Sequence, residues 1–209
     1  MSTHPSLHYH PAILIPASKM SEHALHTMHD LPLICHHSAA TDTIVRFTAS
    51  VERGTEGWLR FRYIVHGAVD RIALPARVAP RHTDNLWRHT CFEAFITAED
   101  HPAYVECNFS PSTAWAAYRF ARYRTLMAVL VPVEPPRITL QTQPDGLVLE
   151  AQLQLGEFAD RPLRIGLTAV IEDKAGSLSY WALRHPRAKP DFHHRGGFIL
   201  RLAAPSART

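Results

Sequence analysis

The sequence predicts an all-β protein, an antiparallel two-sheet β-sandwich of the jelly-roll type. About ten or eleven short segments alternate apolar and polar residues with a period of two, and turn-forming residues separate them. No long segment shows the 3.6-residue period of an amphipathic helix. With 209 residues, of which 46% are hydrophobic, the chain is long enough to bury one sizeable core.

The first part of the chain differs from the rest. Residues 1–37 contain eight of the fifteen histidines and show no steady period. We interpret residues 1–32 as a disordered or loosely attached tail, residues 33–203 as the β-sandwich domain and residues 204–209 as a frayed C-terminus. A metal-binding histidine tract is the alternative interpretation of the first segment.

The strands follow in order along the domain. Arg53-Gly54-Thr55-Glu56-Gly57 and Pro144-Asp145-Gly146 are predicted hairpin turns, because Gly, Asp and Pro favour tight turns. One strand, residues 163–171, is apolar on both faces and is predicted to be central. The predicted strands are residues 43–49, 58–65, 72–74, 91–96, 104–110, a pair within 119–127, 137–143, 147–155, 163–171, 179–183 and 198–202.

Carboxylates stand inside two of the most apolar strands. The motif CFEAFI places Glu93 between apolar neighbours, and the motif YVECNFS places Tyr104, Glu106 and Asn108 on one face. A carboxylate in such a strand must be solvated, paired or used. A salt-bridged network with Arg88 or Arg119, a polar ligand site and a glycosidase-like acid pair all fit this pattern.

Aromatic residues near these strands suggest platforms for a flat ligand. Trp87 precedes a strand and is the best candidate, because an aromatic face stacks on an apolar sugar face or a porphyrin. Tyr118 belongs to the same group. Trp115 and Trp181 stand in apolar contexts that favour the core.

The polar loop HPRAKPDFHH, residues 185–194, contains metal-ligating residue types. His185, Asp191 and His193 are the metal-ligand candidates, since two histidines and a carboxylate form a known metal set. Regular HExxH spacing is absent, and a loop whose polar groups bond the backbone explains the same residues.

Three strings carry a resemblance to a known family: LWRHTCFEAFI; YVECNFSPS followed by WAAY; and LTAVIED followed by GSLSYWALRHPRAKPDFHH. Together they resemble bacterial DOMON-like proteins, which are related in fold to family 9 carbohydrate-binding modules. The resemblance covers residues 33–202 and implies a β-sandwich whose relatives bind sugars or haem. One departure is Thr113, where the family pattern has Gly, in the turn before Trp115.

Several function classes find no support in the sequence. The net charge of +3 and the scattered basic residues do not indicate nucleic-acid binding. GxSxG, GxGxxG, GxxxxGK[ST] and CxxC motifs are absent, no cofactor is required by the sequence, and Cys91 and Cys107 are expected to be buried free thiols. We expect no membrane association and a cytoplasmic location, because neither a signal peptide nor an apolar span is visible.

We therefore predict a non-catalytic module that binds a small molecule or glycan, with a carbohydrate or sugar-containing metabolite as first choice. A metal-dependent enzyme that uses the 185–194 loop with Glu93 or Glu106 is one alternative, and a haem-binding domain is another. The predicted ligand-binding residues are Trp87, Arg88, Glu93, Tyr104, Glu106, Asn108, Arg119, Trp181 and His185.

Overall fold

The computed structural model describes residues 30–54, 57–99, 101–132, 134–158 and 160–205. These residues form thirteen β-strands, and short 3₁₀ turns are the helical segments found among them. No helix in this part of the chain is long and apolar enough to cross a membrane. The predicted tail, up to residue 29, and the last four residues of the predicted frayed end lie outside the described residues.

The strands assemble into two antiparallel sheets. Their bounds are β1 Leu31–Pro32, β2 Ile34–Cys35, β3 Ile44–Arg53, β4 Trp58–Gly67, β5 Cys91–Ala98, β6 Tyr104–Phe109, β7 Trp115–Arg122, β8 Thr125–Val129, β9 Arg137–Gln143, β10 Gly146–Gln154, β11 Leu163–Glu172, β12 Leu178–Ala182 and β13 Leu200–Leu202. Sheet A has the order β1-β3-β4-β10-β9. Sheet B has the order β2-β12-β11-β5-β6-β7-β8, and β13 pairs with β11. The predicted all-β sandwich is confirmed.

One hydrophobic core fills the space between the sheets. The rings of Phe61 in sheet A and Phe109 in sheet B lie 5.4 Å apart, and Tyr63 packs on Phe92 at 5.2 Å. The Tyr63 hydroxyl donates to the Glu93 carbonyl oxygen at 2.7 Å, which satisfies a buried polar group. Aromatic packing thus joins the two sheets at their centres.

The sheets extend slightly beyond the predicted domain. Leu31 and Pro32 pair with Ala49 and Thr48 of β3, although we predicted a tail up to residue 32. Asp30, just before them, accepts a hydrogen bond from Ser50 Oγ at 2.8 Å. Two-residue strands carry too few residues to show a period of two, so the sequence pattern does not reveal them.

Two predicted strands have a different form. Residues 72–74 make an isolated bridge between Ile72 and Asp173 after a 3₁₀ turn at Val69–Arg71, and Pro75 prevents a longer ladder. The pair predicted within 119–127 is β7 and β8, which turn at Tyr123 and Arg124. Arg124 adopts φ 51° there.

Thr113 adopts the left-handed conformation that a glycine would favour. Its φ is 74°, and its hydroxyl donates to the Val78 carbonyl oxygen at 2.5 Å. That bond offsets part of the steric cost of a β-branched residue at positive φ. The turn between β6 and β7 therefore forms with Thr where the resembled family has Gly.

Sheet B is buried on both faces at its centre. Every residue of β5 and β6 is buried, although only one face packs on sheet A. The other face is covered by the loop between β12 and β13, whose Phe198 ring stacks 5.8 Å from Phe95. Gly166 of β11 allows this approach, because an added Cβ there would lie 2.9 Å from the Phe198 ring. Sheet B therefore separates the core from a second, covered space.

Candidate ligand-binding cavity

A cavity of about 960 Å³ lies on the outer face of sheet B. Its floor is formed by side chains of β5, β6, β7, β11 and β12, and its rim by the segments near residues 38, 85, 124 and 190. The lining residues are Ser38, Ala39, Asp84, Asn85, Trp87, Glu93, Phe95, Glu106, Tyr118, Phe120, Arg124, Leu126, Val170, Leu178, Tyr180, Lys189, Pro190, Phe192 and His193.

Two buried carboxyl groups lie on the floor. Glu93 of β5 pairs across the ladder with Asn108 of β6, and Glu106 is the next residue on the same face. Glu93 is 2% exposed, its Oε1 has no hydrogen-bond partner among the described residues, and Thr168 Oγ1 reaches its Oε2 at 3.5 Å. Burial raises the pKa of Glu93 well above its usual value, and the nearby Glu106 carboxylate raises that pKa further.

Glu106 is better satisfied than Glu93. Asn108 Nδ2 donates to Glu106 Oε1 at 2.8 Å, and His193 Nε2 lies 3.6 Å from Oε2. Burial raises the pKa of Glu106, while the Asn108 hydrogen bond and the positive charge of Arg124 oppose the rise. The two carboxyl groups thus share one desolvated floor, and neither has both oxygens fully paired within hydrogen-bond distance.

His193 connects the covering loop to this floor. The Tyr104 hydroxyl lies 2.8 Å from His193 Nδ1 and accepts the backbone N–H of Arg124 at 3.2 Å. With Tyr104 as the donor to Nδ1, the neutral His193 carries its proton on Nε2, facing Glu106. Burial and the charge of Arg124 lower the pKa of His193 to about 4, against the opposing charge of Asp191, so the imidazole is neutral at neutral pH. The contact with Glu106 is then not an ion pair.

Arg124 lines the cavity, but its guanidinium is hydrogen-bonded to residues other than the floor carboxyl groups. Its guanidinium donates to Asp191 Oδ1 at 3.0 Å and to the Tyr123 hydroxyl at 3.3 Å. The Tyr123 hydroxyl also donates to Asp191 at 2.8 Å. Burial would raise the pKa of Asp191, but the hydrogen bonds from Tyr123 and Arg124 outweigh it and lower that pKa. This cluster anchors the covering loop to the turn between β7 and β8.

The walls are aromatic. Trp87, which is 47% exposed, lies at the rim, and the Arg88 guanidinium stacks 5.4 Å from its ring. Tyr118 of β7 donates to Asp84 at 2.5 Å, which fixes the phenol at the cavity wall. Tyr180 and Phe192 pack edge to face at 6.2 Å. An apolar solute surface that enters the cavity would therefore meet ring faces.

Three of the nine predicted ligand-binding residues line the cavity. Glu93 and Glu106 line the cavity, and Trp87 lies at its rim. Tyr104 and Asn108 do not line it, but each supports a residue that does, through the bonds to His193 and Glu106. Arg88 supports Trp87.

Three predicted residues do not reach the cavity. Arg119 lies on the opposite face of β7, beside a small pocket of about 130 Å³ with Val105 and Phe158, because alternate residues of a strand point to opposite faces. Trp181 is in the core between the sheets, as its apolar context favours, and donates to Ser179 Oγ at 3.0 Å. His185 bonds the Ile34 carbonyl oxygen at 2.8 Å.

The candidate metal ligands do not come together. His185 is held at β2, Asp191 at Arg124, and His193 at Tyr104. Within the described residues no group of three or more His, Cys, Asp or Glu side chains could hold a metal ion. Among the residues described, His193 is the histidine that lines the cavity; Tyr104 engages its Nδ1, and its Nε2 lies 3.6 Å from Glu106 Oε2.

Several lining residues were missed in the sequence. Phe120 follows from the period of β7, since it shares the face of Tyr118. Arg124 stands in a turn, and Asp84 and Lys189 stand in loops, where no period indicates direction. Phe192 and Lys189 belong to the 185–194 loop, in which we predicted functional roles for the histidines and the aspartate and not for these two residues.

Comparison with known proteins supports the fold. No protein-family model matches the chain, and no curated protein sequence matches it. A solved structure of a proposed carbohydrate-binding protein from Bacteroides uniformis ATCC 8492 is 13% identical, with a TM-score of 0.61, and the match covers 82% of this chain and 84% of that one. A family 9 carbohydrate-binding module from Caldicellulosiruptor kristjanssonii, solved with glucose, is 13% identical, with a TM-score of 0.50 and 86% of each chain covered.

At this identity the likeness concerns the fold, not the residues of a site. The match spans most of both chains, so it includes both sheets and not a fragment of one. The chain therefore has the β-sandwich fold that is also found in family 9 carbohydrate-binding modules.

Proposed function

We propose that this chain is a non-catalytic, DOMON-like ligand-binding β-sandwich that takes a carbohydrate or a sugar-containing metabolite in the cavity of sheet B. One observation carries the proposal: a cavity of about 960 Å³, with aromatic walls, has a buried carboxyl oxygen on its floor without a partner in the described residues. The volume is in the range of small-molecule sites. The sugar-binding relatives of the fold agree with this choice of ligand class.

The two kinds of lining match the two kinds of sugar surface. A pyranose ring presents C–H groups that pack on aromatic faces, which Trp87, Tyr180 and Phe192 offer. Its hydroxyls are donors and acceptors at the ring edge. Glu93 Oε1 and Glu106 Oε2 are acceptors on the floor that such hydroxyls would satisfy.

The covered position of the cavity favours a small ligand or a chain end. The 185–194 loop closes one side, and Phe198 fixes that loop against the sheet. A long polysaccharide would need an open groove. A free sugar, a short oligosaccharide or a sugar-containing metabolite is therefore the ligand class that the cavity fits, and a cytoplasmic setting would agree with it.

The alternative of a metal-dependent enzyme has less support. It required His185, Asp191 and His193 to act with Glu93 or Glu106. His193 alone of the three histidine and aspartate candidates faces a floor carboxyl group, and it is hydrogen-bonded to Tyr104. We therefore assign Glu93 and Glu106 to ligand binding and not to catalysis.

A sugar screen with matched variants tests the proposal. Thermal shift and calorimetry with neutral, amino and acidic monosaccharides and their short oligomers should find at least one ligand for the wild type. Glu93→Gln and Trp87→Ala should weaken it by about tenfold or more, the scale of one charge-assisted hydrogen bond or one stacked ring.

Glu150→Gln is the matched control, because this half-exposed carboxylate lies in sheet A, 3.5 Å from Arg62 and away from the cavity. It should leave affinity unchanged. If no sugar or sugar-containing metabolite binds the wild type, the proposed ligand class is wrong. If a ligand binds equally to the Glu93→Gln and Trp87→Ala proteins, the assigned cavity is wrong.

A further inference from the structure

We propose that the cavity selects ligands that carry a protonated primary amine, which makes an amino sugar the expected ligand class if the proposed carbohydrate function is right. The inference deepens the proposed function and rests on the same cavity. It goes beyond that function because it concerns the charge of the ligand, which a preference for sugars does not define.

The cavity floor carries two carboxyl groups that the cations lining the cavity do not neutralise. Glu93 and Glu106 share one face of neighbouring strands, and both are at least nine-tenths buried. Oε1 of Glu93 lacks a partner in the described part of the chain, and Oε2 of Glu106 lies 3.6 Å from a neutral imidazole. Two such carboxylates in one desolvated site need a proton or a cation.

The cations that line the cavity do not fill this role in the described geometry. Arg124 donates to Asp191 and Tyr123, and these bonds direct its guanidinium toward the covering loop. Lys189 is exposed, at the outer rim. Neither forms an ion pair with Glu93 or Glu106 within 4.0 Å. The groups that face the pair from the neighbouring elements are Cys91, Tyr104, Tyr118, Arg124, Thr168 and His193.

The walls also suit a cation. Tyr118, Tyr180 and Trp87 present aromatic rings to the same space, and an ammonium over such a ring is stabilised by its quadrupole. A neutral hydroxyl gains no comparable term. An ammonium donates up to three hydrogen bonds and accepts none, so it can satisfy both unpaired carboxyl oxygens at once.

Binding of an amine should therefore exchange a proton. In the free protein the desolvated pair retains a proton that a solvated pair would lose. When the ammonium enters, the O–H bond of that carboxyl group breaks, the proton leaves to the buffer, and the carboxylate pairs with the ammonium. A neutral sugar makes no such exchange, because it brings no charge to compensate the ionised form.

Matched amine and neutral probes test this. Glucosamine, galactosamine and mannosamine are compared with glucose, galactose and mannose, with N-acetylglucosamine and glucuronate, and with the sugar-free pair cyclohexylamine and cyclohexanol. Calorimetry is run at about pH 6, where an amine of ordinary pKa is still protonated, in two buffers of different ionisation enthalpy. We expect at least one amino sugar to bind about tenfold or more tightly than its neutral counterpart, with net proton release.

Substitutions locate the effect. The double variant Glu93→Gln and Glu106→Gln should bring the ratio of amine to neutral affinity to about one and abolish proton release, because no ionisable carboxyl group then remains on the floor. Glu150→Gln should retain both. Circular dichroism and a cooperative thermal melt of the double variant show whether it has folded.

The outcomes separate this inference from the proposed function. A neutral sugar or N-acetylglucosamine that binds as tightly as every amino sugar overturns the ammonium inference and leaves carbohydrate binding in place. Cyclohexylamine that binds in preference to cyclohexanol, with no sugar bound, supports the ammonium inference and removes the carbohydrate proposal. Glucuronate as the tightest ligand overturns it and assigns the site to Arg124 and Lys189. A panel in which no amine binds overturns it as well.

Discussion

At β5 and β6 the two faces of sheet B are equally hidden from solvent but border different spaces. On the inner face, Phe92, Val105 and Phe109 pack against sheet A and leave no room between the sheets. On the outer face, Glu93 and Glu106 are just as buried, yet they border an open cavity under a loop. Burial alone therefore does not distinguish a core residue from a site residue in this sheet.

The faces also differ in where their unsatisfied polar atoms lie. On the inner face the Tyr63 hydroxyl has a carbonyl partner at 2.7 Å, while the indole N–H of Trp115 has none in the described residues and lies in the core. On the outer face Glu93 has an oxygen with no partner in the described residues. Among the unpartnered atoms of the described residues, Glu93 Oε1 is the one whose residue lines the cavity, where the proposed ligand would satisfy it.

The inner face should be the more sensitive to truncation. Phe109→Ala removes a fully buried ring that packs on Phe61 and should cost about 3–5 kcal/mol of unfolding free energy, because the rigid core cannot close the void that the ring leaves. Chemical denaturation measures the loss. Ligand affinity, measured well below the melting temperature, should not change.

Phe95→Ala is the matched change on the outer face. This ring already borders the cavity, so its removal should cost less stability and should reduce ligand affinity. If the two variants lose the same stability and neither affects the ligand, the distinction between the faces is wrong.

One anchor of the covering loop is the phenol of Tyr104. Tyr104→Phe removes the hydroxyl that bonds His193 Nδ1 and accepts from the Arg124 N–H, and we expect a cost of about 1–3 kcal/mol, since two partly buried hydrogen bonds are lost. Relative to the wild type, hydrogen exchange in the Tyr104→Phe protein should become faster in residues 185–198 and change less in β5. Tyr123→Phe removes a second anchor of the same loop, at an exposed phenol, and should have the smaller effect on stability. Unchanged exchange in the loop would show that Tyr104 does not hold it.

The period of two accounts for much of the fold and for a smaller part of the site. It correctly predicted that Tyr104, Glu106 and Asn108 share a face, and that β9 and β10 form a hairpin. It could not show that this face is covered, because the covering comes from a loop more than 80 residues away. An alternation of apolar and polar residues usually indicates that the polar face of the strand is solvated. Here the polar face borders a cavity that a loop covers on one side.

The cation that lines the cavity is not the one predicted. Arg119 was grouped with Glu93, Glu106 and Asn108, although the period places it on the face opposite Tyr118. Arg124 is the cation that lines the cavity, and its direction is set by a turn at φ 51° and by bonds to Asp191. Turn geometry and pairing between distant loops leave no periodic signal, so neither could be predicted from the strand pattern.

Stability should depend on pH through the outer face. Because the folded-state pKa of Glu93 is raised by burial and by Glu106, its contribution is fully present below the unfolded pKa of about 4.3 and is lost as pH rises through the folded pKa. Glu93→Gln should therefore gain stability relative to the wild type as pH rises from about 4 to 8, reaching about 1–2 kcal/mol, the scale of one unsatisfied buried polar group. Denaturation curves at several pH values measure the difference.

Glu150→Gln should show no such trend, because its carboxylate is solvated and pairs with Arg62. A Glu93→Gln difference that is constant across the pH range would mean that the pKa of Glu93 is the same in the folded and unfolded states. A difference that falls with pH would mean that the wild-type carboxylate is paired in the folded state.

The smallest expected effect concerns the labelling rates of the thiols. These rates compare the two faces, because a buried thiol reacts only when the native state opens. Cys107 faces the core, Cys91 faces the outer side near Asn108, and Cys35 is half-buried. Burial raises the pKa of all three thiols, so the rate should depend on exposure of the sulfur. We expect Cys35 to react with iodoacetamide first and Cys107 last.

Cys91 should fall between them, because opening of the covering loop exposes the outer face without separating the sheets. Mass spectrometry of peptides from native protein, with fully denatured protein as the control, gives the three rates. A tight ligand should slow Cys91 by on the order of tenfold and leave Cys107 unchanged, since it stabilises the closed cavity but not the core locally. Equal rates for Cys91 and Cys107, with and without ligand, would show that the outer face opens only when the whole sandwich unfolds, and the cavity would then need another route for ligand entry.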